Sequence, residues 1–118
     1  MTTPSRIDKS VAVVTGGAGD IGLAIGSALA DEGATVILAD VDEARAQELA
    51  TTLRESGGRV EALQVDLSNA DAAGDMVHRV VSKHGSLHTL VNAAAVTARG
   101  RIYDLAEDTW DRLLAVNL

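Results

Sequence analysis

Short apolar runs and helically periodic stripes take turns along this chain, and that alternation limits the possible folds more than any other feature. VAVVT (11–15), TVILAD (35–40), VEALQVD (60–66) and LHTLVNAAAV (87–96) read as strands. After the first, Ile21, Ile25, Ala28 and Leu29 repeat at i, i+4, i+7 and i+8, and Gly33 closes the helix. A second stripe, Ala46, Leu49, Ala50 and Leu53, starts behind the N-cap candidate Asp42 and stops at Gly57-Gly58. A capping box from Ser68 to Asp71 opens a third helix, which carries Ala73, Met76, Val77, Val80 and Val81 and ends at Gly85. The longest irregular stretch, 96–106, leads to a last helix beginning near Glu107. Strands one, two and four are almost continuously apolar, as strands covered on both faces must be. The expected architecture is α/β, a doubly wound parallel sheet with right-handed crossovers and strand order 3-2-1-4 for residues 1–118.

Composition narrows the chemistry. There is no Cys and no Phe, with one Trp and one Tyr, so the core must be Ala, Val, Leu and Ile, and thiolate metal sites and disulfides are excluded. With 47% hydrophobic and 23% charged residues the chain reads as a soluble globular domain. A net charge of −7, without any Lys/Arg cluster, argues against nucleic acid as a partner. The opening MTTPSRIDKS lacks the apolar core of a signal peptide and no run approaches a membrane span, so a cytoplasmic location without membrane attachment is expected. His84 and His88 have i,i+4 spacing, but Gly85 interrupts the helix between them; they read as surface histidines, and no metal site is expected.

VAVVTGGAGDIGLAIG (11–26) places five glycines where the first strand turns into the first helix. Glycine there lets backbone approach a pyrophosphate lodged at the positive N-terminus of the helix. Asp40, at the end of the second strand, stands where an acid grips a ribose in the Rossmann-type fold. A carboxylate accepts from both ribose hydroxyls and repels a 2′-phosphate, and no Lys or Arg lies in the turn or directly after Asp40. NAD is therefore expected rather than NADP. Strands three and four exit into Asp66 and Asn92, so all four strands end in polar or glycine residues on one edge.

In that order, these motifs resemble the short-chain dehydrogenase/reductase family over essentially the whole chain. TGGAGDIG (15–22) is similar to its TGxxxGxG turn, VDL (65–67) to its adenine-contacting pair, LVNAAAV to its NNAG motif, and WDRLLAVNL to the helix bearing its structural and catalytic asparagine. The resemblance implies that Gly16, Gly19, Asp20 and Ile21 place the pyrophosphate. It gives Asp66 and Leu67 the adenine, and Asn92, Ala93 and Ala94 the approach to the nicotinamide. Asn117 becomes the catalytic residue, anchoring a proton-relay water. From the residues alone, Asn117 continues the stripe Trp110, Leu113, Leu114, which puts a buried amide on an apolar face, with a solvated helix end as the alternative. The family also implies a small carbonyl or alcohol substrate and a homo-oligomer, dimer or tetramer.

Three departures stand out. The middle glycine of the family turn is Asp20 here, a residue able to cap the helix but charged beside a pyrophosphate. NNAG reads Asn92-Ala93-Ala94-Ala95, where the Ala95 methyl narrows the floor of the nicotinamide site. The family's serine and Tyr-x-x-x-Lys pair follow the asparagine helix, and this sequence ends at Leu118; Tyr103, with Glu107 four residues on, is no substitute and reads as a loop residue near the active-site mouth. The expectation is the cofactor-binding portion of an NAD-dependent oxidoreductase, inactive alone. A stand-alone or split NAD-binding module is the alternative, and a methyltransferase on the same sheet a third. Arg99, Arg101 and Tyr103 read as solvated surface residues, with contact to a polar substrate as the alternative.

Overall fold

A computed structural model of the chain describes residues 6–96, 98 and 100–118. Four strands, β1 (Val11–Thr15), β2 (Thr35–Asp40), β3 (Arg59–Gln64) and β4 (Thr89–Asn92), form one sheet in the order β3-β2-β1-β4. All three pairings are parallel; Val13 stands opposite Ile37 and Leu90, and Ile37 opposite Glu61. Helices α1 (Asp20–Asp31), α2 (Glu43–Glu55), α3 (Ala70–His84) and α4 (Glu107–Asn117) follow the strands. The expected doubly wound α/β sheet is the observed one.

Alternation along the central strands divides the core into two layers. Val13 and Ile37 pack with Met76 and Val80 of α3 on one face, while Val14, Val36 and Leu38 meet Ala50 of α2 and Leu23 and Leu29 of α1 on the other. Burying each such aliphatic side chain stabilises the fold by roughly 1.5–3 kcal/mol.

Several expectations change in detail. Ile21 is 73% exposed, and α1 instead buries Gly22 and Gly26. A Cβ at Gly26 would lie 2.9 Å from Leu38 Cδ2, so the glycine allows close approach of helix to sheet. β3 stops at Gln64, although Val65 still donates to the Asp40 carbonyl, because Asp66 already turns the chain. Asn69, not Ser68, caps α3: its side chain accepts from the Asp71 N–H, while the Ser68 hydroxyl is occupied by Asp66. On α3 only Met76 and Val80 are buried, with Ala73, Val77 and Val81 on its exposed flank. β4 is shorter than 87–96 because its partner β1 runs out at Thr15. The expected Asp42 cap of α2 and the Gly85 stop of α3, at φ 85°, are both present.

His78 and His88 are exposed as expected, while His84 is partly buried, and two of the three histidines hold hydrogen-bond partners. His84 Nε2 lies 3.3 Å from Glu61 Oε2, and the His88 ring accepts the Val11 N–H at 2.9 Å. Among the described residues no acidic or histidine cluster could hold a metal ion, and no helix is long and apolar enough to cross a membrane.

Candidate active site

The carboxyl ends of the strands open into a cleft of about 470 Å³, within the size range of small-molecule sites. Its first wall is the glycine turn. Gly16 has φ 66°, and a Cβ there would sit 2.7 Å from the Ala93 carbonyl oxygen, so the turn rests directly on the exit of β4. A Cβ on Gly22 would collide with the Gly16 carbonyl oxygen. Gly19 differs: its nearest obstacle is the Gly16 oxygen at 3.3 Å, and it leaves an open face where it lines the cleft. Gly19 is also the N-cap of α1 and supplies no side-chain cap, so the first N–H groups of the helix have no side-chain acceptor.

Asp40 fixes this turn. Its Oδ2 accepts the Ala18 N–H and its Oδ1 the Asp42 N–H, both at 3.0 Å. Each oxygen keeps a further lone pair, and the carboxylate lines the cleft. The buried Thr15 hydroxyl links β1 to β4, donating to the Val91 carbonyl at 3.3 Å and accepting the Ala94 N–H at 3.4 Å.

The far end of the cleft belongs to the loop after β3 and to α4. Asp66 Oδ1 accepts both the hydroxyl of Ser68, at 2.6 Å, and its N–H, at 3.0 Å. These two hydrogen bonds, helped by the Arg112 charge and opposed by slight desolvation, hold the Asp66 carboxyl below its ordinary range. Leu67, Val65 and Val116 supply apolar lining, and Arg112 faces the same space.

Of the residues singled out in the sequence, Gly16, Gly19, Asp40, Asp66, Leu67, Ala93 and Ala94 come together around the cleft, with Ala95 beside them. Asp20, Ile21 and Asn92 are not among its lining residues. Asp20 is the first residue of α1 and borders a separate groove with Leu49 and Leu53 of α2. It caps nothing, and its helical backbone has no need of glycine. Asn92 closes β4 opposite Thr15.

Asn117 is exposed rather than buried, yet its amide is fully used. Oδ1 accepts the Val96 N–H and Nδ2 donates to the Val96 carbonyl, each at 2.9 Å, tying the end of α4 to the segment after β4. Tyr103 is 73% exposed in a short 3₁₀ turn, with Arg101 donating to its hydroxyl at 2.7 Å. Arg99 lies outside the described residues. Thr15 and Ser68 stand out in the sequence only in the turn motif and as a helix cap, without a role in the cleft, and nothing there singles out Arg112 and Val116. The last two share a helix face at i,i+4, one step round from the apolar stripe that drew attention to Asn117.

A parallel sheet of this order, with a glycine turn and an acid at adjacent strand ends, defines a Rossmann-type domain. Residues 10–118 match the short chain dehydrogenase family model, and the chain belongs to that family. It is 37% identical over 107 residues to a short chain dehydrogenase/reductase of Colletotrichum higginsianum, covering 90% of this chain and 40% of that one. A short-chain dehydrogenase/reductase from Burkholderia phymatum in complex with NAD superposes with a TM-score of 0.92 at 31% identity, covering 97% of this chain and 41% of that structure. A metagenomic short-chain oxidoreductase in complex with NADP gives 0.91 at 36% identity, with 97% and 52% covered. The chain spans less than half the length of the curated relatives it matches first.

Proposed function

We propose that these residues hold NAD for an oxidoreductase that moves hydride between the cofactor and the carbon of a small carbonyl or alcohol substrate. The observation that carries the reading is the Asp40 carboxylate, fixed by two N–H groups in the cleft between the glycine turn and the Asp66 loop. When bound, the nicotinamide supplies the hydride chemistry; the protein supplies position and electrostatics. Gly16 and Gly19 admit the pyrophosphate, and the N-terminus of α1, through Asp20 and Ile21, offers backbone N–H groups to it. Asp40 accepts from the ribose hydroxyls with its remaining lone pairs. Asp66 and Leu67 border the adenine, while Asn92, Ala93 and Ala94 lead toward the nicotinamide.

Asn117 is the catalytic-network residue in this scheme. Both polar groups of its side chain are taken by Val96, so a relay water would take its main-chain carbonyl instead. Tyr103 receives no proton-transfer role: Arg101 occupies its hydroxyl and Glu107, not a lysine, lies four residues on. By this reading the 118 residues bind cofactor without turning over a substrate, and the whole protein is cytoplasmic and a homo-oligomer.

Calorimetric titration with NAD and NADP is the test. NAD is expected to bind about tenfold or more tightly than NADP, because a 2′-phosphate would meet the Asp40 charge, and D40A should narrow the gap. Tighter binding of NADP would overturn the cofactor assignment, and binding of neither would overturn the nucleotide reading.

A further inference from the structure

We propose that Arg112 of α4 is a nucleotide-positioning residue whose guanidinium forms the outer wall of the adenine end of the cleft, stacking on the purine face opposite Leu67 while Asp66 stands at the ring edge. This rests on the nucleotide reading above and adds to it a wall contributed by α4.

The cleft has a polarity along its length. The glycine turn and the open N-terminus of α1 mark a phosphate end, and Asp40 marks a ribose position. Next beyond a ribose comes its base. The space there is bounded by the apolar Val65, Leu67 and Val116, with Asp66 and Arg112 as its charged members. Among the described residues Arg112 is the only Lys or Arg lining the cleft.

Arg112 and Asp66 sense each other without touching. The Arg112 charge contributes to holding the Asp66 carboxyl ionised, but no ion pair within 4.0 Å joins them. Asp66 already receives two hydrogen bonds from Ser68, which hold it in place on its side. Among the described residues no hydrogen bond anchors the Arg112 side chain, although it projects from a regular turn of α4 one turn before Val116. An apolar slot with a planar cation on one wall and a carboxylate at the rim suits a flat heteroaromatic ring. The carboxylate accepts from an exocyclic amine, and the guanidinium lies over the π face. A cation there also offsets, at close range, the charge of a chain with net −7 that must admit an anionic cofactor.

The experiment is calorimetric titration of the purified chain, wild type and R112A, with NAD, 5′-AMP, 2′,5′-ADP and nicotinamide mononucleotide, with thermal unfolding followed by circular dichroism. R112A is expected to weaken NAD and 5′-AMP by roughly five- to tenfold, to leave nicotinamide mononucleotide unchanged and to unfold at the wild-type temperature. R112K should not restore 5′-AMP binding, since an ammonium is no planar substitute. Unchanged 5′-AMP affinity in R112A would overturn the proposal while leaving the cofactor reading intact, as would equal weakening of all four ligands. A loss confined to 2′,5′-ADP would show that Arg112 reads a phosphate and not the ring, and would overturn it too. Failure of the wild type to bind either NAD or 5′-AMP would remove both readings together.

Discussion

Three glycines of one turn carry different burdens. Gly16 has a left-handed backbone and touches the Ala93 carbonyl; Gly22 is pressed against the Gly16 carbonyl; Gly19 has a β-region backbone, φ −83° and ψ 166°, and an open side. Substitution should separate them. Gly16→Ala combines αL strain with overpacking and should lower stability by about 1–3 kcal/mol, whereas Gly19→Ala should lower it by less than about 1 kcal/mol. Urea unfolding of the two variants measures the difference, and equal losses would mean that the turn relaxes around any added methyl. The importance of this turn was legible in the sequence, because glycines clustered between a strand and a helix weaken both unless the backbone there must bend sharply or meet something closely. The individual roles were not: that of Gly16 depends on Ala93, some 77 residues away, and those of Gly19 and Gly22 on how the turn folds back on the Gly16 carbonyl. The Asn117 amide shows the same limit: its partner Val96 is 21 residues distant, and spacing along α4 placed the residue on an apolar face without revealing the backbone it holds.

At the scale of elements, strand identity and order followed from patterning, because apolar runs buried on both faces leave little freedom. Helix faces were less legible. The stripe expected for α1 contained Ile21, but packing distance won over hydrophobicity: the buried positions are Gly26, against Leu38 of the sheet, and Gly22, against the turn at Gly16. The Arg112 face of α4 could not be read at all, because which face meets the cleft depends on how α4 is set against distant strands. The contact between α3 and β3 is also electrostatic, for Glu61 is held by Lys83 at 3.1 Å and by His84 at 3.3 Å. Partial burial alone would raise the Glu61 carboxyl, but the two hydrogen bonds and the charges of Lys83 and His84 prevail and hold it below its ordinary value of 4.5. A carboxyl depressed by folding adds stability above its unfolded value, and that contribution disappears as pH falls through the lower folded value. Stability should therefore be steady in this respect from neutrality to about pH 5. It should then fall, by roughly 0.5 kcal/mol for this partly solvated group. Denaturant midpoints measured between neutral and acid pH should show a shallower decline in E61Q; identical profiles would mean that the cluster does not couple α3 to the sheet.

For the whole molecule, the two edges of the sheet are unequal. Each edge strand has one partner among the described strands; β3 carries Glu61, paired with Lys83 and His84 of α3, whereas β4 exposes Leu90 by 48%. Trp110 and Leu114 of α4 are also nearly half exposed, at 47% and 43%. An unpaired edge with apolar side chains templates association. Sedimentation of these 118 residues should show a mass that rises with concentration, and L90K should weaken that association by severalfold or more. A concentration-independent monomer would contradict the expectation. The latch from Asp40 to the Ala18 N–H has an evolutionary corollary. On the reading proposed above, one side chain both selects the nucleotide and keeps the turn in shape. A mutation that welcomes a 2′-phosphate by replacing Asp40 with a side chain lacking an acceptor oxygen strips the Ala18 N–H of its partner in the same step. A change of cofactor must then be accompanied by a compensating replacement that gives that N–H a new acceptor, and the order in which two such mutations arise becomes a constraint on how this lineage can diverge.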